Sequence, residues 1–293
     1  MTLSRFSIAR GRGALAALGL SALTACGGSD GPTLNTATNL AYVRVINAVP
    51  DTQVMIYKFT DKLENPLDAN GTSFRTASAY QGYQAGQRQF RAFMLNAAAS
   101  PAIAAGAPLI DQVIALAPNT YYTVVHYGRA IPATADSIAV VIDSVPSTAT
   151  LGANIAVRAL HYATGVSGID VFTTRLTTTA LPATPAFANL GYKASTGNTY
   201  TIRLGADSLA ARVRVVAAPT VVLSAQGMAG EAGTDQRNPL SGTRIAGTSL
   251  SVVAFPAPTA ATRASGTAAA ADTLPSLRWF VDGRSVNTQP ILR

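Results

Sequence analysis

The stretch that decides the fold reads AYVRVINAVPDTQVMIYKF and covers residues 41–59. Residues 42–46 are rich in valine, isoleucine and tyrosine, Pro50 and Asp51 interrupt them, and residues 54–57 resume the apolar pattern. β-Branched and aromatic side chains favour a pleated strand, whereas proline and aspartate favour a turn. The stretch therefore predicts a strand, a turn and a second strand.

Similar runs follow along the chain. They are short, are separated by glycine, proline and asparagine, and read GQRQFRAFML (86–95), LIDQVIALAPNTYYTVVHYG (109–128) and SIAVVIDSVP (137–146). No long apolar stripe with a 3.6-residue period occurs among them, which argues against helices. We predict an all-β fold built from antiparallel β-sandwiches.

The pattern then recurs. NIAVRALHYATGVSGIDVFT (154–173) mirrors the opening stretch, with Arg158 in the position of Arg44. Three further pairs keep the same order: AYQGY (79–83) with ANLGY (188–192), GQRQFRAF (86–93) with GNTYTIRL (197–204), and SIAVVIDS (137–144) with SLRWFVDG (276–283). The spacing of roughly 110 residues indicates a duplicated domain. We predict two tandem sandwich domains at 40–148 and 153–293, the second with an Ala/Thr-rich surface loop at 257–272.

Residues 1–25 are typical of a signal peptide. Basic residues precede the apolar segment ALAALGLSALTA (14–25), which is shorter than the roughly 20 apolar residues that a membrane helix needs. The adjoining Leu23-Thr24-Ala25-Cys26 resembles the bacterial lipobox, which implies cleavage before Cys26 and acylation of that cysteine. We expect residues 26–39, rich in small polar residues, to form a flexible tether.

Two features of this region bear on location and stability. Cys26 is the only cysteine of the chain, so no internal disulfide is expected and the folded part must depend on its apolar core. Gly27 follows the cysteine where aspartate tends to retain lipoproteins at the inner membrane, so the resemblance favours the outer membrane of a Gram-negative cell envelope over the inner one.

Charge argues against nucleic acid as a partner. Charged residues make up 12% of the chain and apolar residues 48%, which also argues against disorder. The formal net charge is +8, but three of the arginines lie in the leader and the remaining basic residues are scattered singly. A nucleic-acid-binding surface requires clustered basic residues.

Residues 43–57, VRVINAVPDTQVMIY, resemble the opening of the bacterial family called domain of unknown function 4397 (DUF4397). Its pattern begins with V-R and two hydrophobic residues. Next come one residue that is N or H, an A, one residue that is S or V, and P-D, and an apolar strand follows. The later segments GNTYTIRL and NTYYTVVHYG fit its other strands, whereas HYATG (161–165) departs from NAVPD. The resemblance implies an Ig-like β-sandwich, often in tandem copies on lipoproteins or surface proteins, and it implies no activity.

Catalytic groups are scarce. The chain has two histidines, His126 and His161, which occupy different positions in the two repeats. We expect His126 at a strand rim or solvent face, and His161 hydrogen-bonded to turn backbone as Asn47 would be in the first repeat. No G-x-S-x-G, H-E-x-x-H or P-loop pattern occurs, so we expect no enzyme activity and no cofactor.

Metal binding is not expected either. Two histidines and an acylated cysteine do not make a zinc site, which needs three or four ligands. Calcium stays open, because carboxylate and carbonyl oxygens suffice as its ligands. Asp61, Glu64 and Asp68 lack the spacing of an EF-hand, however, so a solvated loop is the simpler interpretation.

Aromatic residues supply the candidate binding surface. Outward-facing tyrosines can stack on sugar rings, although tyrosines at sandwich rims also pack with their hydroxyls in water. The candidates are Tyr80, Tyr83, Tyr121, Tyr122 and Tyr127.

These observations favour a non-enzymatic lipoprotein of the cell envelope. It would be held to the membrane by its N-terminal lipid and would present two Ig-like modules for binding, adhesion or scaffolding, with an envelope polysaccharide or protein as partner. The alternative is an accessory protein or weak hydrolase that acts on envelope polysaccharide or peptide from the sandwich loops.

Overall fold

Short alternating segments become strands in the computed structural model, which describes residues 39–52, 54–61, 69–96, 103–130, 135–196, 200, 202–216, 218–234, 239–260 and 273–284. The predicted signal peptide (1–25), Cys26, the tether up to residue 38 and residues 261–272 of the predicted loop lie outside the described residues.

Within the described residues sixteen strands follow one another, with one short helix, α1 (Thr148–Leu151), in the middle. The strands of the first half are β1 (Leu40–Ala48), β2 (Met55–Phe59), β3 (Ala69–Thr72), β4 (Gln81–Gln84), β5 (Gly86–Asn96), β6 (Ile103–Leu116), β7 (Tyr121–Arg129) and β8 (Ala135–Ile142). Those of the second half are β9 (Asn154–His161), β10 (Ile169–Arg175), β11 (Phe187–Leu190), β12 (Ile202–Gly205), β13 (Leu209–Val215), β14 (Ala218–Gln226), β15 (Thr248–Phe255) and β16 (Ser276–Arg284).

The two halves share one strand order. The first forms sheets β4-β1-β7-β8 and β3-β2-β5-β6, and the second forms β12-β9-β15-β16 and β11-β10-β13-β14. The all-β prediction is therefore confirmed. The expectation of wholly antiparallel sheets is wrong at two places, because β1 pairs with β7, and β9 with β15, in parallel. In each half, five strands lie along the chain between the two strands that pair in parallel. They return the chain to its original direction, so that the seventh strand of the half runs parallel to the first.

The repeat matches are correct at the ends of the halves and displaced in the middle. Isolated bridges join Ile46 to Ala77 and Leu160 to Ser195, which makes Ala77 and Ser195 equivalent. Residues 79–83 therefore lead into β4, whereas their proposed match, 188–192, overlaps β11. Short Gly-Tyr patterns misled the alignment because they occur near more than one strand.

Each half has an apolar core between its two sheets. In the first, Val43, Tyr57 and Phe90 belong to a cluster contributed by β1, β2, β5, β6 and β7. In the second, Val157 and Trp279 belong to the corresponding cluster. Burial of alternate side chains from two facing sheets is what a β-sandwich requires.

A third apolar cluster joins the halves. Its members are Ile46, Ala48, Val125, Val141, Leu160, Tyr162, Val253 and Phe255. They come from the outer faces of β4-β1-β7-β8 and β12-β9-β15-β16, so these two sheets pack against each other. Both faces of β1 are consequently buried, and the described residues from Asn39 onward form one compact unit. We call this contact the junction.

The connection between the halves is short and capped. Ser147 Oγ accepts a hydrogen bond from the Thr150 backbone N–H at 3.1 Å, and Gly152, at φ 57°, ends α1. This connection lies in the segment where the sequence places the boundary, and the independent folding of 40–148 and 153–293 stays a prediction. None of the helices within the described residues is long and apolar enough to cross a membrane.

Candidate functional site

Four charged side chains meet inside the junction. Arg44 of the first half pairs with Asp282 of the second, and Arg158 of the second pairs with Asp143 of the first. All four side chains are at most 3% exposed. The two arginines and two aspartates balance in charge, which is the condition under which buried ions are tolerated.

Hydrogen bonds complete this network in the same way on both sides. Arg44 Nε donates to Thr123 Oγ1 at 2.8 Å, and Arg158 Nε donates to Ser251 Oγ at 2.7 Å. Tyr80 and Tyr200 each donate their hydroxyl to a carboxylate at 2.8 Å, Tyr80 to Asp143 and Tyr200 to Asp282.

Arg44, Tyr80 and Tyr200 of this network keep their protons near neutral pH. Burial is the largest single effect on Arg44 and would lower its pKa, but the electrostatic interactions with Asp282, Tyr80, Asp143 and Tyr200 together outweigh burial and raise the pKa. Burial raises the pKa of the Tyr80 and Tyr200 hydroxyls. Such groups exchange no proton near neutral pH, so the network suits a structural role rather than acid–base catalysis.

Sequence reasoning missed this network, although a signal for it existed. Arg44 and Arg158 occupy matching positions in β-rich apolar runs, and Asp143 and Asp282 end the matching runs SIAVVIDS and SLRWFVDG. A charge that recurs at the same place in two apolar strands indicates a buried partner.

His126 lies in the core of the first half, and the expectation that it faces solvent is wrong. It is 0% exposed because it shares the inner face of β7 with Tyr122 and Val124. Its Nδ1 lies 3.1 Å from the Tyr57 hydroxyl and its Nε2 lies 2.8 Å from Asp136 Oδ2.

The Tyr57–His126–Asp136 chain resembles a catalytic triad in its connectivity, with a base between a hydroxyl and an orienting acid. Tyr57 is 1% exposed, however, and no substrate can approach its oxygen without opening the core. Burial and then the Asp136 charge raise the pKa of Tyr57, which weakens it further as a nucleophile. This hydrogen-bonded series of side chains therefore links β2, β7 and β8 rather than forming an active site.

His161 behaves as the sequence predicts. Its Nε2 lies 2.9 Å from the Ser167 carbonyl oxygen, and its Nδ1 accepts from the Ala163 backbone N–H at 3.3 Å. Asn47 accepts from the Val49 N–H at 3.1 Å in the first half. Burial lowers the pKa of His161, which favours the neutral ring that this pattern requires.

The five candidate tyrosines do not form one surface. Tyr122 is buried in the core, so it does not belong to a binding surface. Its neighbour Tyr121 is half-buried and stacks on Tyr42, with ring centroids 4.7 Å apart. Tyr80 is half-buried and belongs to the junction network, and Tyr83 is half-buried with its ring 4.5 Å from that of Phe59.

Tyr127 lies at the other end of β7, within a second aromatic group. Its ring centroid is 5.2 Å from that of the buried Tyr162 and 6.3 Å from that of the half-buried Tyr192. Lys193 Nζ lies 5.4 Å from the Tyr127 ring and 5.5 Å from the Tyr192 ring. Sequence reasoning missed Tyr192 and Lys193, because the repeat alignment placed ANLGY one strand away.

Two shallow grooves lie elsewhere. One, of about 460 Å³, includes Arg75, Gln226 and Trp279; the other, of about 240 Å³, includes Arg175 and Asp207. Within the described ranges no three His, Cys, Asp or Glu residues converge as metal ligands would.

The predicted acidic loop is only partly described. Asp61 is exposed at the surface and pairs with the buried Arg88, whose Nε lies 3.0 Å from Asp61 Oδ2. Glu64 and Asp68 lie outside the described residues.

Comparison with known proteins identifies part of the chain. Residues 41–172 match the family described as "Domain of unknown function (DUF4397)", and they run from β1 into β10. This match confirms the resemblance drawn from VRVINAVPDTQVMIY. The curated proteins yield no match to the chain.

Proposed function

We propose that this DUF4397 chain is a non-enzymatic, lipid-anchored protein of the cell envelope that presents two Ig-like sandwiches as one rigid binding body. The junction network is the observation that carries the proposal. Because Arg44, Arg158, Asp143 and Asp282 lock two sheet faces together, side chains from both halves keep fixed positions. A ligand-binding surface benefits from such preorganisation.

The histidines support a binding function over a hydrolytic one. A general base must reach a substrate, and both His126 and His161 are 0% exposed and already hydrogen-bonded. The alternative function, an accessory protein or weak hydrolase working from the sandwich loops, has no comparable support from these side chains.

The anchor follows from the leader sequence. Acylation of Cys26 would attach the chain to the membrane, and several acyl chains on one cysteine hold a protein stably. The tether over 26–39 would give the sandwiches reach toward envelope polysaccharides or proteins, and Gly27 favours the outer membrane.

Replacement of the cysteine tests the anchor. The Cys26→Ser variant should be unprocessed or soluble, whereas wild type and a neighbouring Gly28→Ala control should fractionate with membranes. A Cys26→Ser protein that stays mature and membrane-bound would refute the lipoprotein assignment.

A binding screen tests the function itself. We expect the mature protein to retain a glycan or envelope protein on an array, and to leave generic esterase, peptidase and glycosidase substrates intact. Turnover that persists in His126→Ala and His161→Ala would favour the accessory-hydrolase alternative through other residues, and turnover lost in either variant would favour that histidine as its base.

A further inference from the structure

The junction has two equivalent corners that differ in chemistry. The closed corner consists of Phe74, Arg75 and Phe255, and the open corner consists of Tyr192, Lys193 and Tyr127. Arg75 and Lys193 hold the same backbone position: the Arg75 N–H donates to the Asn47 carbonyl and the Lys193 N–H to the His161 carbonyl, both at 2.8 Å. Both residues adopt the left-handed region, with φ values of 64° and 67°.

The rings at the two corners are arranged alike. Phe74 and Phe255 meet edge-to-face, with centroids 6.5 Å apart and planes at 86°. Tyr192 and Tyr127 meet edge-to-face at 6.3 Å and 89°. The cation lies 4.9 Å from the Phe74 ring at the closed corner and 5.5 Å from the Tyr192 ring at the open one.

The two corners differ in the solvent exposure of their side chains. Phe74, Arg75 and Phe255 are at most 5% exposed, and Arg75 donates to the carbonyls of Pro256 and Leu274 across the junction. Tyr127 and Tyr192 are half-buried, and Lys193 is exposed. The closed corner demonstrates that phenylalanine suffices for the junction. The hydroxyls and the accessible amine of the open corner are therefore not required by packing.

The open corner is also electropositive. Among the described residues, Lys193 contacts aromatic rings and no carboxylate. Arg129 is exposed on β7, two residues beyond Tyr127 and so roughly 7 Å along the strand. The nearby Asp136 on β8 points inward and is held by His126, so it does not offset these charges at the surface.

We propose that the open corner binds an acidic sugar, a pyranose that carries a carboxylate, and this assignment rests on the proposed binding function. The apolar C–H face of a pyranose stacks on a tyrosine ring, and a tyrosine hydroxyl bonds its ring hydroxyls. Lys193 supplies a mobile point charge for the carboxylate. Tyr192 is already oriented, because its hydroxyl lies 3.0 Å from that of Thr164.

Titration of the mature full chain with oligogalacturonate, and with the neutral oligogalactose of equal length, tests the assignment. We expect binding of the acidic oligomer alone, weakened about tenfold or more by Lys193→Met and by Tyr127→Leu. Added salt should weaken it as well. Tyr127→Phe preserves the ring and the junction, so it should lose less affinity than Tyr127→Leu. Lys58→Met, which removes a lysine on β2 in the other sheet of the first half, is the matched control for Lys193→Met and should bind as wild type does.

Two results would overturn the assignment in distinguishable ways. If the array yields a partner whose affinity is unchanged in Lys193→Met and Tyr127→Leu, the open corner is not the site although the protein still binds. If neither the array nor the oligogalacturonate titration detects a partner, the proposed binding function fails together with the site. Equal affinity for acidic and neutral oligomers would refute the role of Lys193.

Discussion

Arg44 and Asp282 lie 238 positions apart in the chain and form an ion pair buried at the junction. Asp143 and Arg158 form the reverse pair, so each half supplies the arginine for the other half's aspartate. Asp282 Oδ2 also lies 3.6 Å from Arg158 Nε, which links the two pairs. The junction therefore depends on residues from both ends of the described chain.

Removal of one member should be costly. Arg44→Met leaves Asp282 buried with a reduced set of partners, so we expect a loss of about 3–5 kcal/mol in the free energy of unfolding, measured in urea. Arg91→Met breaks the exposed pair with Asp111 and should cost about 1 kcal/mol or less. Equal losses in the two variants would contradict a buried network. Arg44→Met with Asp282→Leu should recover part of the loss.

The Tyr57 hydroxyl should matter for stability. Tyr57→Phe keeps the ring but leaves His126 Nδ1 without the hydroxyl, so we expect a loss of about 1–3 kcal/mol in the free energy of unfolding. Tyr83→Phe, which removes a half-buried hydroxyl, is the control and should lose less. Losses of the same size would mean that the hydroxyl–imidazole contact contributes nothing specific.

His161 should make stability depend on pH. Burial lowers its pKa from 6.5 in the folded state. As pH falls below 6.5 the unfolded chain takes up a proton that the folded chain resists, so stability present above that pH is lost. His161→Asn supplies an acceptor and a donor, as Asn47 does, without a titrating group.

Chemical unfolding at a series of pH values measures this effect. The free energy of unfolding should fall less steeply below pH 6.5 in His161→Asn than in wild type. Carboxylates contribute equally to both proteins, so the difference between the curves isolates the imidazole. Parallel curves would show that His161 titrates alike in both states.

Separation of the halves tests the domain prediction. Residues 38–148 alone should give a β-type circular dichroism spectrum and a cooperative unfolding transition, since each half has its own core. Mixed with residues 149–293, this fragment should form a one-to-one complex in the analytical ultracentrifuge, because each exposes half of the junction cluster.

Charge reversal controls for non-specific association of the fragments. Arg158→Glu places a carboxylate against Asp143 and should abolish the complex. Arg175→Glu, at a side chain 73% exposed, should leave it intact. A complex that tolerates both changes would not be the junction seen in the intact chain.

Alternation in the sequence was enough to predict the strands, but not their neighbours. The pattern in residues 41–59 specifies which side chains share a face of β1. It does not say that β7 pairs beside β1 in parallel, because that pairing depends on how five intervening strands return the chain. The same alternation of apolar residues that predicts the strands also made the repeat visible. The alignment of the two halves was wrong where it depended on Gly-Tyr patterns, because these are too short to align reliably.

Polar residues were harder to place than apolar ones. Alternation puts His126 on the face of Tyr122 and Val124, yet a histidine in a core needs partners, and Tyr57 and Asp136 are distant in sequence. Tyr192 and Lys193 were missed because their importance comes from Tyr127, which only the packed junction brings near.

The reciprocal pairs also make each junction face self-complementary. Each half carries one arginine and one aspartate, and its aspartate pairs with the arginine of the other half. This arrangement is that of an isologous two-fold dimer built within a single polypeptide. A chain with only one such half could in principle close the same contact by joining a second molecule. Here the Ser147–Gly152 connection keeps the matching face at high effective concentration. The junction therefore forms within one molecule in preference to forming between two.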